Sequence, residues 1–280
     1  MHDLSILEQK ARKIRAMCIR LAHDGGVGHV GSALSCVDAL VALYHTFLKI
    51  DSKNPTHPLR DRFILSKGHA CTALYAVLAD CGIIPAEWLK SYAVTGSPLP
   101  DHPCKHALPI LEYSTGSLGY GLGIATGMLY GMRLAGNDAR AVVLMSDGEC
   151  NEGSVWEAAM FAAAQKLGNL IALVDYNKIQ AVGRSDEIMG WTSLEEKFRA
   201  FGWHASTVDG NDMASVVNAL DSVPKSSDKP SAVILSTRKG AGVSFMEDQV
   251  LWHYRVPSDE DVEAALAELG EEPMAREAAV

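Results

Sequence analysis

The sequence predicts an α/β fold, a parallel sheet with helices on both faces, and two observations carry that prediction. The first is Ala141 to Met145, a run without charge or alternation, which is how a strand buried on both faces of a parallel sheet reads. The second is the stretch after it: about three turns of helical sequence and then another such run, Leu170 to Asp175. Strand, helix and parallel strand make one crossover unit, and both strand ends of such a unit open on the same side of the sheet. Asp147 and Asn177, each just past one of these runs, therefore meet at one point. A carboxylate and an amide oxygen converging beside a glycine turn suit a small hard cation, and Mg²⁺ held in this way usually carries a ligand's phosphates as well.

The remaining elements follow in order. Leu7, Ala11, Ile14, Cys18 and Leu21 repeat at helical spacing with Arg12, Lys13 and Arg20 opposite, giving an amphipathic first helix. It stops at His23 to Gly31, where closely spaced glycines permit a tight loop. Ser32 is placed to cap the next helix, whose apolar positions Val37, Leu40, Val41, Tyr44 and Phe47 recur at three and four. A polar loop over 51–60 leads to Arg62 to Leu65, a short strand that delivers His69 to a helix over 70–81. The stretch 92–113 is a long loop with several prolines that carries His102, and loops of this length tend to be functional. Ser114 to Gly123 is glycine-dense and runs into a helix over 124–134; free N–H groups at such a turn suit a phosphate. Beyond the crossover unit, 179–191 reads as irregular and 193–201 as a short helix. Strands over 203–208 and 232–236 flank a helix over 212–223. A last helix covers 259–269, and the acidic tail after it is expected to be mobile. One domain spans 1–280, with a C-terminal extension from about 240.

Composition narrows the function. The chain has 280 residues, 48% hydrophobic and 21% charged, enough to bury a sizeable core. A net charge of −9, with 25 scattered basic residues, argues against a nucleic-acid surface. The six cysteines show no metal-finger spacing, and four fall in or beside apolar helical stretches, which favours buried free thiols in a reducing compartment. The charged N-terminus is no signal peptide, and no apolar run is long enough to span a membrane. A cytoplasmic enzyme, without nucleic-acid or membrane partners, is the expectation.

Single motifs say less than their combination. Ser146-Asp-Gly is by itself a turn tripeptide, and acquires a metal reading only through Asn177 at the next strand's end. Of ten histidines, His2, His57 and His106 read as solvated and His45 as mid-helical. His29, His69, His102 and His253 each lie at an element end beside Gly, Pro or Trp. Glu149 and Glu152 fit the first turn of a helix, where acidic groups favour the macrodipole. Lys239 reads as a solvated charge, and Trp156 and Trp252 as core or interface aromatics.

Taken together, the ordered pieces resemble the diphosphate-binding half of transketolase, a thiamine diphosphate-dependent family. They are Gly28-His29, Leu65-Ser-Lys-Gly-His69, Asp101-His102-Pro103, Thr115 to Gly121, Ser146-Asp-Gly-Glu149 with Glu152 to Trp156, Asp175-Tyr-Asn177-Lys-Ile179, and Lys239-Gly through Trp252-His253. The resemblance implies a thiamine diphosphate-binding fold in which Asp147, Asn177 and the carbonyl of Ile179 ligate Mg²⁺, or Ca²⁺ or Mn²⁺ in its place. It implies that Gly116, Ser117, Leu118, Gly148, Glu149 and Asn177 lie along the cofactor, with His69, Lys239 and His253 near its diphosphate or reacting end. His29, His69, His102 and His253 would contact the sugar or cofactor and move protons, a task suited to imidazole. Glu152 would join a carboxylate network at a subunit interface, and the helix after Asp147 would face another subunit.

Two departures from the family pattern matter. Ser146 stands where a glycine is usual, a change that keeps a small residue. The chain also ends where the family's pyrimidine-binding and C-terminal domains would begin, so the glutamate that activates the cofactor is expected on a separate chain. The resemblance thus implies the N-terminal subunit of a split transketolase. Paired with a C-terminal subunit, in a homodimerising or α2β2 assembly, it would move a two-carbon ketol unit from a ketose phosphate to an aldose. The alternatives are a subunit of another thiamine enzyme, of the 2-oxo acid dehydrogenase or deoxyxylulose phosphate synthase kind, or a non-catalytic assembly partner.

Overall fold

Every residue from Ala141 to Ser146 is buried, and the two faces of that strand explain the absence of charge: Val142 and Leu144 enter one apolar core, Val143 and Met145 the other. The computed structural model describes residues 2–190, 192–224 and 226–272. Its strands are β1 (Arg62–Leu65), β2 (Ala141–Ser146), β3 (Leu170–Tyr176), β4 (His204–Asp209) and β5 (Ser231–Ser236). All pair in parallel, in the order β1-β2-β3-β5-β4. In register, Ser146 lies beside Asp175 and Tyr176 beside Ser236, so the ends of β2, β3 and β5 are level. Loops leaving these ends share one edge of the sheet, where ligands of open α/β sheets bind.

In chain order the helices are α1 (Leu4–Asp24), α2 (Val30–Ser35), α3 (Val37–Ala42), α4 (Cys71–Asp80), α5 (Gly121–Leu134), α6 (Gly153–Ala164), α7 (Ser185–Met189), α8 (Leu194–Ala200), α9 (Met213–Asp221) and α10 (Asp259–Leu269). Helices α1 to α4, α9 and α10 supply the core on one face; α5, α6 and α8 supply the other. Local signals set several boundaries. The Asp3 side chain caps α1 by accepting from Ser5 N at 3.1 Å, and Ser258 and Asp261 form a capping box at α10. Residues after 240 rejoin the main core, since Ala265, Leu266 and Leu269 pack into the same cluster as Leu7 and Ile14.

Several expectations shift. Ser32 is not a cap; it is buried inside α2, and the residue at the helix entrance is His29, with φ of +67°. The second helix breaks at Cys36 and ends in a π-helical turn, Leu43–Phe47. The helix expected from 124 begins at Gly121, and the stretch from 179 contains α7. Trp191 and the tail from residue 273 lie outside the described residues. Arg15, on the apolar side of α1, is buried against Asp38 at 2.5 Å.

A buried ion pair joins the strand ends. Lys67, just past β1, and Asp175, near the end of β3, are both inaccessible to solvent and in contact. Asp175 also accepts from Ser35 Oγ at 2.6 Å, Asn177 Nδ2 at 2.9 Å and Thr237 Oγ1; Lys67 Nζ also donates to Ser32 O at 2.9 Å. Burial opposes both charges, but each outweighs that penalty for the other: the Asp175 carboxyl is held below its usual range and the Lys67 ammonium above. One carboxylate thereby fastens the ends of β1, β3 and β5 to α2. Lys67→Met, which strands Asp175 as an unpaired buried charge, is expected to cost about 3–5 kcal/mol in urea unfolding. Lys67→Met with Asp175→Leu should cost markedly less; a double variant as unstable as the sum of the singles would show that the charges are not coupled.

Candidate active site

Asp147 and Asn177 do converge. Asp147 leaves β2 with its N–H bonded to Asp175 O at 3.2 Å, and its carboxylate accepts from Lys178 N at 3.1 Å and Ser185 Oγ at 2.6 Å. Asn177 is buried, and its Oδ1 accepts from Ile179 N at 3.1 Å. Between them Lys178 has φ of +68°, a left-handed turn that folds the segment from Asn177 to Ile179 back over Asp147. Burial raises the Asp147 carboxyl, opposed by the Ser185 hydroxyl bond. A carboxylate, an amide oxygen and a backbone carbonyl form an all-oxygen donor set, the chemistry that a hard divalent cation takes.

The Ile179 carbonyl receives Lys239 Nζ at 3.2 Å. Lys239 is fully buried, which corrects its reading as a solvated charge. Burial, with Lys67 nearby, brings its ammonium down to about 7. The same Nζ lies 2.5 Å from His253 Nδ1. Burial and then Lys239 lower the His253 imidazole to about 3.

The four singled-out histidines form one cluster. The His29 ring lies 5.4 Å from His69, 6.0 Å from His102 and 5.3 Å from His253, and His69 and His253 are 5.8 Å apart. Separate segments deliver them: the entrance of α2, the turn between β1 and α4, the long loop over 92–113, and, for His253, a short 3₁₀ turn, Val250–His253. His29 N donates to His253 O at 2.9 Å, which secures the left-handed His29 backbone. Burial lowers His29 and holds His69 well below the ordinary imidazole range. At neutral pH the His29, His69 and His253 rings are uncharged, able to donate one N–H and accept one proton.

The glycine loop is placed differently from the phosphate reading. The N–H of Gly119 donates to Glu149 Oε1 at 2.9 Å and that of Gly121 to Ser66 Oγ at 3.1 Å, so neither serves a ligand. Glu149 is not a macrodipole residue: it is fully buried in the 3₁₀ turn Gly148–Asn151, bonded to Ser66, Gly119 and Ser146. Burial raises its carboxyl. Gly116 and Ser117 are exposed and Leu118 half-buried; a Cβ at Gly116 would sit 3.5 Å from the His102 ring. Gly68 is pinned beneath this loop, since a Cβ there would come within 2.7 Å of Thr115 Oγ1. Next to Gly148 the buried Gln180 Nε2 has no hydrogen-bond partner, nor has His29 Nδ1. Such orphaned donors and acceptors suit a polar ligand lying between Gly148 and the histidines. A cleft of about 710 Å³ lined by Arg133 and Lys166 lies at the opposite edge of the sheet, before β2 and β3, and contains none of these side chains.

Sequence reasoning missed Lys67 as the partner of Asp175, Ser185 as a brace for Asp147, and Gln180. A charged residue directly after an apolar strand was the available signal for Lys67; Ser185 and Gln180 carry none. Trp156 and Trp252 are core aromatics, with Nε1 bonded to Cys150 O and Phe245 O.

Residues 6–278 match the family described as transketolase, thiamine diphosphate binding domain. The chain is 43% identical over 267 residues to an apulose-4-phosphate transketolase subunit of Actinobacillus succinogenes, covering 95% of this chain and 96% of that protein. It is 41% identical over 266 residues to the 6-deoxy-6-sulfo-D-fructose transketolase subunit SqwG of a Clostridium species, covering 95% and 97%. The crystal structure of Campylobacter jejuni transketolase superposes with a TM-score of 0.91 at 29% identity, over 98% of this chain and 44% of that one. The chain therefore spans less than half of that solved enzyme.

The depressed histidine gives a direct test. His253 titrates lower folded than unfolded, so between about 3 and the ordinary imidazole value the unfolded chain binds more protons, and stability rises with pH across that window. Imidazole NMR resonances of His253 should stay in the neutral form at pH about 5, and Lys239→Met should move the midpoint upward. A midpoint near 6.5 in the unsubstituted chain would refute the buried, lysine-facing placement.

Proposed function

The chain belongs to the transketolase family, and on that premise we propose that it is the diphosphate-binding subunit of a two-chain transketolase that transfers a two-carbon ketol unit from a ketose to an aldose. The observation that carries this reading is the meeting of His29, His69, His102 and His253 beside Asp147 and Asn177 at one edge of the sheet. The names of two relatives, one a phosphorylated and one a sulfonated sugar, support a ketose bearing an anionic group as donor.

Asp147, the Asn177 amide oxygen and the Ile179 carbonyl would hold Mg²⁺, with Ca²⁺ or Mn²⁺ as substitutes, and through it the diphosphate of the cofactor. When bound, thiamine diphosphate supplies the nucleophilic carbon and the electron sink for C–C cleavage. The chain's own residues orient, shield and move protons. Gly148 and Gln180 flank the metal side, and Gly116 to Leu118 form the opposite lip beside His102. His29 and His253, uncharged and mutually braced, accept a proton from a sugar hydroxyl or donate an N–H to its carbonyl. Ser185 keeps the Asp147 carboxylate turned to the site.

The partner is a separate chain carrying the pyrimidine-binding half, in an α2β2 assembly, and residues 1–280 act as one diphosphate-binding domain. Its seat is the outer face of α5 and α6, where Tyr120, Leu134, Met160 and Phe161 are largely exposed and Gly127 and Gly131 leave open backbone. Glu152, exposed at the start of α6, faces the same contact. A reducing, cytoplasmic setting is supported by six free thiols, four of them buried, and among the described residues no helix is long and apolar enough to cross a membrane.

Reconstituted with its partner, the chain should show ketol transfer dependent on both thiamine diphosphate and Mg²⁺, and Asp147→Ala should remove cofactor binding by calorimetry. Release of CO₂ from a 2-oxo acid without ketol transfer, or unchanged affinity in Asp147→Ala, would overturn the assignment. Met160→Glu with Phe161→Glu should leave the circular dichroism spectrum intact and abolish co-elution with the partner; retained co-elution would move the interface elsewhere.

A further inference from the structure

Away from the strand ends, three side chains with metal-ligand chemistry meet at the far end of α4. His45 sits in the middle of the π-helical turn Leu43–Phe47, Asp80 is the last residue of α4, and Cys81 is its C-cap. His45 Nε2 is 2.8 Å from Asp80 Oδ2 and 3.6 Å from Cys81 Sγ. One ligand atom from each lies within 4.8 Å of the others. The wide π turn is itself an uncommon device, frequent at functional sites.

Two further observations point to a cation. A zinc ion bound by nitrogen at 2.0–2.1 Å and sulfur at 2.3 Å in tetrahedral geometry holds those two atoms about 3.6 Å apart, which is the His45–Cys81 separation. The place already draws a cation: Lys10 Nζ lies 2.7 Å from Asp80 Oδ2, beside the electronegative C-terminus of α4. The side chains of His45 and Asp80 are 18% and 26% exposed, so an ion can reach them from solvent.

We propose that His45, Asp80 and Cys81 bind a thiophilic divalent cation, Zn²⁺, with water as the fourth ligand. As the sulfur–metal bond forms, the Cys81 thiol releases its proton to solvent, His45 gives up its Nε2–H bond to Asp80 and, with that proton exchanged through solvent to Nδ1, presents the freed Nε2 lone pair to the ion, and Lys10 leaves the Asp80 carboxylate. The soft sulfur ligand separates this site from the all-oxygen set at Asp147, which suits Mg²⁺. The ion would fasten the π turn to the end of α4, the helix whose other end follows His69.

The test is a Co²⁺ titration of the full chain in excess Mg²⁺. One ion per chain with a sulfur-to-cobalt charge-transfer band is expected, lost in Cys81→Ser. Zn²⁺ affinity should fall more than about tenfold in Cys81→Ser and His45→Gln, and rise in Lys10→Met, which keeps all three ligands and removes the competing ammonium. Absence of the band in the folded unsubstituted chain, its survival in Cys81→Ser, or an unchanged or lower affinity in Lys10→Met overturns the proposal.

Discussion

The arrangement at the sheet edge depends on one buried carboxylate. Asp175 takes the ammonium of Lys67 and the hydroxyls of Ser35 and Thr237, and through Asn177 Nδ2 it also orients the amide whose oxygen faces the site. An unpaired charge at this depth would be expelled or neutralised; paired and multiply bonded, it fixes three strand ends and α2. The ion pair is costly to desolvate and adds little net stability over an apolar substitute. What it secures is registry: the segments that carry Ser35, Lys67, Asn177 and Thr237 are referenced to a single point.

From this point the electrostatics of the site follow. Burial, with Lys67 and Lys239 adding to it, holds the His69 and His253 imidazoles low, so those two rings remain uncharged at neutral pH. Lys239 itself is brought down to about 7 by burial, with Lys67 close by adding to it. Neutral imidazoles are the useful state for moving protons, since a permanently protonated ring can no longer accept.

Much of this was legible in sequence for stated physical reasons. Charge-free runs identified β2 and β3 because both faces of those strands are buried, and the handedness of a crossover placed Asp147 against Asn177 without coordinates. The histidines were legible as residues at element ends, though not as a cluster. What escaped was set by tertiary partners. Lys239 stands between arginine and glycine and looks like a loop charge, yet it is inaccessible. Glu149 looks like a helix-start acid and is a brace under the glycine loop, and the N–H groups of Gly119 and Gly121 are taken by that brace and by Ser66. α7 is too short to leave a periodic signal, although its first residue holds Asp147.

The crossover helix α6 has a further consequence. It is the covalent link between β2, which ends at Asp147, and β3, which leads to Asn177, and its outer side carries Met160 and Phe161. On the proposed assembly, association at that surface and cofactor occupancy at the two strand ends would act on one continuous segment. By thermodynamic linkage, whatever factor docking adds to cofactor affinity, the cofactor must return to docking. On that proposal, assembly and loading become two readings of a single coupling free energy, and a subunit without its cofactor is the one released first.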